Sequence, residues 1–230
     1  MKVGTDGVLL GAWASLPLHA EQPVRVLDIG TGSGLVALML AQRLEQAGVL
    51  SDRLHIDAID IDADAASQAA ENFAASPWSD CLHARCVPLQ DFLNEEHSPY
   101  DLIACNPPFY SRSLTCPDTR RTAARHTAAL DHGLLLHATA SLLAHDGLFS
   151  LILPADAENE VMRLSAACGL PSVRLCRVHG TASKPAKRLL AEFRNAGTKD
   201  SPSIEPPLVL TGEGVPRSTA YTALTRDFYL

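Results

Sequence analysis

Asn106, Pro107, Pro108 and Phe109 stand in a row directly after a short apolar run. Two prolines fix φ and hold this backbone rigid. The Asn106 amide and the free carbonyl of Pro107 are then displayed as two acceptors for one planar NH2 group. Accepting both N–H bonds keeps electron density on that nitrogen and aims its lone pair at an incoming methyl group. Phe109 can stack against a flat ring. The same four residues could form a plain loop, but two further motifs upstream give them a context.

The first of these is Asp28-Ile29-Gly30-Thr31-Gly32-Ser33-Gly34, which follows an apolar run and opens a helical pattern. Glycines at such a turn let the backbone bend sharply and approach a ligand closely. No Gly-Lys-Ser/Thr follows, so a phosphate-gripping loop of that type is excluded. The second is Asp57-Ala58-Ile59-Asp60-Ile61-Asp62. A carboxylate at the end of such a strand can accept both hydroxyls of a ribose. Asp60, after apolar Ile59, is the preferred residue, and Asp62 is equally suited to capping the next helix.

The elements that must position these motifs alternate. Val24–Ile29, His55–Ile61, Leu82–Val87, Asp101–Cys105 and Leu148–Leu153 read as strands. Gly34–Ala47, Ala63–Ala75, Asp131–His145 and Ala155–Cys168 read as helices, the third ending at Asp146-Gly147. Val173–Val178 and Arg188–Phe193 have no helix between them, which predicts an antiparallel edge hairpin. Near-continuous apolar strands alternating with helices imply a mostly parallel sheet covered on both faces, here of seven strands. Residues 1–230 read as one domain, with a polar, arginine-rich insert at about 110–127 and a Gly/Ser/Pro-rich flexible loop at about 195–207.

The 230 residues are 47% hydrophobic and 20% charged, which excludes a disordered chain. No window is apolar enough for a transmembrane helix, and the start lacks the apolar core of a secretion signal. None of the six cysteines forms a CxxC pair, and none of the nine histidines sits at metal-ligand spacing. A cytoplasmic protein with no metal and no disulfide framework is expected. With a net charge of −7, any nucleic acid must be held by a local patch. Arg112, Arg120, Arg121 and Arg125 form one such group, and Lys184, Lys187 and Arg188 a second.

Glycine loop, acidic strand end and Asn-Pro-Pro-aromatic, in that order, resemble the S-adenosylmethionine-dependent amino-methyltransferases. Further blocks resemble the bacterial tRNA(Val) adenine-N6 methyltransferase family in particular. They are Met1-Lys2-Val3-Gly4-Thr5-Asp6-Gly7-Val8-Leu9-Leu10-Gly11-Ala12-Trp13, Ser76-Pro77-Trp78, Leu130-Asp131-His132 and Tyr221-Thr222-Ala223-Leu224-Thr225. The resemblance runs from Met1 to Leu230. It implies a Rossmann-like class I methyltransferase fold, S-adenosylmethionine as cofactor with S-adenosylhomocysteine as product, and tRNA as partner. It implies methylation of the N6 amine of an adenine in the anticodon loop. The cofactor-binding set that follows is Lys2, Thr5, Asp6, Asp28, Gly30, Gly32, Gly34, Asp60, Asp91 and Asn106. The catalytic set is Asn106, Pro107, Pro108 and Phe109.

Three features depart from that family's pattern. Its members usually carry a short aromatic-containing segment ahead of the Met1-Lys2 match. After the third strand they tend to place a carboxylate where this chain has Val87-Pro88, and Asp91 is the candidate substitute. Phe109 stands where tyrosine is frequent, and a phenyl ring also stacks. Two other enzyme classes share Asn-Pro-Pro-aromatic because their targets are also planar NH2 groups: ribosomal RNA guanine-N2 and protein glutamine-N5 methyltransferases. A non-catalytic RNA-binding protein of this fold is the remaining alternative. The sequence does not set an oligomeric state.

Overall fold

In a computed structural model the chain is described over residues 4–18, 23–108, 131–195, 201–212 and 214–229. The first element is a helix, α1 (Thr5–Trp13), followed by strand β1 (Val24–Ile29), helix α2 (Leu35–Gln46) and strand β2 (Leu54–Asp60). Next come α3 (Ala63–Ala74), β3 (Leu82–Cys86), the short α4 (Leu89–Phe92) and β4 (Tyr100–Cys105). Then follow α5 (His132–Leu142), β5 (Leu143–Pro154), α6 (Glu158–Ala167), β6 (Ser172–His179) and β7 (Ala186–Arg194). Two two-residue strands, β8 (Ser203–Ile204) and β9 (Leu208–Val209), precede the last helix, α7 (Thr219–Thr225).

The strands join one sheet in the order β3-β2-β1-β4-β5-β7-β6-β8, with β9 also paired to β6. Strands β1 to β5 run parallel to one another, and β7 runs antiparallel to both β5 and β6. The expected parallel sheet and edge hairpin are therefore present, and β8 and β9 extend the expected seven strands. Successive residues of a strand face opposite sides. Val26, Ile56, Leu102 and Ile152 pack with α1, α2 and α3 residues such as Leu10, Leu40 and Phe73. Leu27, Ile103, Phe149 and Leu151 pack on the other side with Leu135, Leu136 and Val161. Burial on both faces makes β1 and β4 read as continuous apolar runs.

Two expectations need correction. Helix α5 ends at Leu142, and β5 begins at Leu143. Asp146-Gly147 therefore lies inside a strand and does not stop a helix. Asp146 adopts φ 67°, and a Cβ on Gly147 would sit 2.9 Å from the backbone oxygens of Ala144 and Tyr100. The pair's turn chemistry serves an irregular stretch where the β4–β5 register shifts between Tyr100 and Leu102. The segment expected as a flexible loop is paired at its far end. Ser203 and Ile204 lie in parallel register with Arg174 and Leu175, and Glu205 N donates to Leu175 O at 2.8 Å. Residues 196–200 lie outside the described set.

Helix α1 was not legible as a helix, because it is buried on every side from Gly7 to Trp13 and has no polar face. A polar clamp holds its end. Arg43 Nη1 donates to the carbonyls of Gly11 (2.7 Å) and Ala14 (2.8 Å), which satisfies groups a helix terminus leaves open. Burial, then the nearby Arg174, lowers the pKa of Arg43 from its ordinary value. The Arg174 guanidinium lies 3.9 Å over the Trp13 ring and binds Glu205, which in turn accepts the Trp13 indole N–H at 2.8 Å. Glu192, 2% exposed, accepts from Ser15 N (2.9 Å), Ser15 Oγ (2.8 Å) and Ser150 Oγ (2.8 Å).

Candidate active site

The carboxyl ends of β1, β2 and β4 lie side by side, with Ile29 in register with both Ile59 and Cys105. All three sequence motifs reach this edge, at Gly30, Asp60 and Asn106. The glycine turn after β1 is fastened to β2, since Gly30 N and Thr31 N both donate to Ile59 O, at 2.9 and 3.0 Å. Gly34 ends the turn at φ 81°, where a Cβ would fall 2.4 Å from Phe73 Cε1. Only glycine allows α2 to start so close to α3. A Cβ on Gly30 would meet nothing within 4 Å, so open space lies in front of the loop there.

The three acids of the second motif have separate tasks. Asp57 accepts from the Tyr100 hydroxyl at 2.7 Å and pairs with Arg25 and His55. Asp62 caps α3 by accepting from Asp64 N (2.9 Å) and Ala65 N (3.2 Å). Asp60, half-buried at the end of β2, accepts from Gly32 N at 2.9 Å through one oxygen and from Asp62 N at 3.0 Å through the other. An ionised carboxylate has about four lone-pair sites, so acceptor capacity remains on Asp60.

Asp28 lies behind the loop. It is 1% exposed and accepts from Thr31 Oγ1 (2.7 Å) and Ala37 N (3.3 Å), so it braces the turn from beneath. Burial pushes its carboxyl up to about 6, opposed by those two hydrogen bonds and reinforced by the Asp60 charge. The folded protein then keeps a proton there that the unfolded chain, with an ordinary value of 3.8, has released. Stability should fall as pH rises from about 4 to about 6 and level off above that. Asp28→Asn should remove this part of the decline, as read from urea midpoints across that range. A variant whose pH profile matches the parent would show that Asp28 does not contribute.

At the end of β4, Asn106 is half-buried, Pro107 buried and Pro108 exposed. They line a cleft of about 440 Å³ together with Gly4, Thr5 and Asp6 at the start of α1. A Cβ on Gly7 would lie 3.8 Å from Asn106 Nδ2, so α1 runs close beside that amide. Asp6 Oδ2 accepts from Arg188 Nε of β7 at 2.8 Å. Asp91 is exposed on α4, just past the point where Val87 N donates to Asp60 O at 2.9 Å. The Cys105 thiol, fully buried beneath this edge, is pushed well up by burial and then by Asp28 and Asp60, which keeps it unreactive.

The structure therefore brings together Thr5, Asp6, Asn106, Pro107 and Pro108, and places the glycine turn and Asp60 at the same edge. Lys2, Phe109, Arg112, Arg120, Arg121 and Arg125 lie outside the described residues. Sequence reasoning missed the Asp6–Arg188 pair and the α1 clamp, whose partners are separated by 182 and up to 192 positions. No local signal could have found them. Among the described residues, no cluster of His, Cys, Asp or Glu could hold a metal, and no helix is long and apolar enough to cross a membrane.

A mostly parallel sheet with a glycine turn, a strand-end acid and an Asn-Pro-Pro edge defines a class I S-adenosylmethionine-dependent methyltransferase. The methyltransferase small domain model matches residues 14–150. A predicted O-methyltransferase from Agrobacterium tumefaciens shares the fold with a TM-score of 0.68, at 16% identity over 96% of each chain. Nearer relatives are the tRNA1(Val) (adenine(37)-N6)-methyltransferases of Parabacteroides distasonis and Photobacterium profundum. Each is 42% identical over the whole of this chain, which spans 91% and 92% of their lengths respectively. The chain belongs to the tRNA1(Val) (adenine(37)-N6)-methyltransferase family.

Proposed function

We propose that this protein methylates the N6 amine of adenosine 37 in tRNA1(Val), working in the cytoplasm where that tRNA is found. The observation that carries the reading is the 42% identity to the two tRNA1(Val) methyltransferases over the whole chain, and the cleft in which Asn106, Pro107 and Pro108 meet the first turn of α1 supports it. S-adenosylmethionine, when bound, supplies the methyl group as an electrophilic carbon on a sulfonium. The residues present fit that group. The open space at Gly30 accepts a ligand against the backbone, and the Asp60 carboxylate has acceptors left for ribose hydroxyls. Asp28 supports the loop from behind; Thr5 and Asp6 would hold the cofactor's methionine end, and Asp91 would be the carboxylate for its adenine.

Asn106 and the Pro107 carbonyl accept the two N–H bonds of the target amine and turn its lone pair toward the donor. Positioning supplies much of the rate, because the reacting atoms must be held about 3–3.5 Å apart. No strong base is needed, since the amine can release its proton to water after attack. The target adenine must leave its stack, which costs a few kcal/mol and less in a single-stranded loop. Phe109 is the residue to stack on it, and Arg112, Arg120, Arg121 and Arg125 are the insert's candidates for RNA phosphates.

Asp60→Ala should weaken S-adenosylmethionine binding by about 1.5–3 kcal/mol, the value of hydrogen bonds to a charged group. Calorimetry giving the parent affinity would remove Asp60 from the site. The substrate position is tested with two tRNA1(Val) transcripts, one with adenosine and one with guanosine at position 37. Labelled methyl should enter only the first. Equal labelling of both would place the target elsewhere.

A further inference from the structure

The β6–β7 hairpin carries cations to the same sheet edge from the opposite side of the cleft. Because β7 runs antiparallel to β5, its first residues lie beside the carboxyl end of β5, with Arg188 in register with Pro154. β5 in turn lies beside β4, with Leu151 in register with Cys105, the residue before Asn106. Two strand spacings, about 10 Å, therefore separate the hairpin tip from the Asn-Pro-Pro edge. The Arg188–Asp6 ion pair ties that tip directly to the cleft lining.

Lys184 and Lys187 at this tip are exposed, and neither forms an ion pair with a described residue. Three arginines of the hairpin are instead paired within the fold: Arg174 with Glu205, Arg177 with Glu158 and Arg188 with Asp6. The tip is also held in shape. His179 Nδ1 lies 2.7 Å from Lys184 O, Lys184 N donates to Thr181 O at 3.2 Å, and Thr211 N donates to Gly180 O at 3.0 Å. The turn's backbone is preorganised, so meeting an anion orders only the two lysine side chains.

We infer that the β6–β7 hairpin is a second RNA-binding wall, with Lys184 and Lys187 taking backbone phosphates flanking the base that enters the cleft. The inference rests on the tRNA reading above. A chain of net charge −7 repels RNA at long range, so local phosphate contacts must supply the attraction. The hairpin would then hold the strand beside the cleft lined by Asn106, Pro107 and Pro108, next to the extruded nucleotide.

The test is the double variant Lys184→Gln/Lys187→Gln, titrated with tRNA1(Val) at several salt concentrations beside the parent. The KM for tRNA should rise about 10-fold, and the slope of log affinity against log salt should shrink by about 1.4–1.8, the share of two phosphates. Affinity for S-adenosylmethionine and the thermal midpoint should match the parent, which separates lost RNA contact from lost folding. A parent-like KM and salt slope would overturn the inference and leave the tRNA reading standing. A parent protein that fails to methylate tRNA at all would overturn that reading first, and the hairpin's role with it.

Discussion

Asn106→Ala should bind S-adenosylmethionine as the parent does and lose methyl transfer by about 10²–10³-fold, the usual effect of deleting one preorganised hydrogen-bonding group aimed at a reacting centre. The side chain lies at the end of β4, where Pro107 and Pro108 leave its backbone little freedom. It stands between the first turn of α1 and the cleft. The Pro107 carbonyl would survive the substitution, so the amine would keep one acceptor and lose the second. Its lone pair would no longer be held on the line of attack. Single-turnover transfer of labelled methyl, measured beside calorimetry of the cofactor, separates the two effects. A variant that turns over at close to the parent rate would remove the two-acceptor arrangement from the mechanism.

Glu192→Ala should cost about 1–3 kcal/mol of stability, the range seen when buried donors are left without an acceptor. The Glu192 carboxylate is 2% exposed and is the acceptor for the Ser15 N–H and the hydroxyls of Ser15 and Ser150. Its removal leaves those donors without an acceptor in a site too dry for easy replacement by water. Arg174, 3.9 Å away, would also lose an anionic neighbour. Urea unfolding should show the loss as a lower midpoint. A change of less than about 1 kcal/mol would show that the clamp is dispensable.

Both residues illustrate what can and cannot be seen in a linear chain. Asn106 was visible because its chemistry depends on neighbours in sequence: two prolines after it and a buried strand before it. The same holds for the turn at Gly30, Gly32 and Gly34 and for Asp62 as the cap of α3, where a strand end and a helix start are adjacent. Glu192 gave no signal, because a lone acid within an apolar strand takes its meaning from Ser15, 177 positions away. Helix α1 was hidden by its own burial, since periodicity needs a polar face to show itself. Asp146-Gly147 misled because a left-handed turn serves a helix end and a strand irregularity alike. Asp28 was grouped with ligand contacts as part of a motif, and only the folded chain turns its carboxylate inward onto Thr31 and Ala37.

The measurement that bears most directly on the whole account offers the protein labelled S-adenosylmethionine with separate pools of tRNA, ribosomal RNA and release-factor protein, then digests each product. The account predicts label in tRNA alone, recovered as N6-methyladenosine. Label recovered as N2-methylguanosine from ribosomal RNA or as N5-methylglutamine from protein, or no transfer to any pool despite cofactor binding, would contradict it.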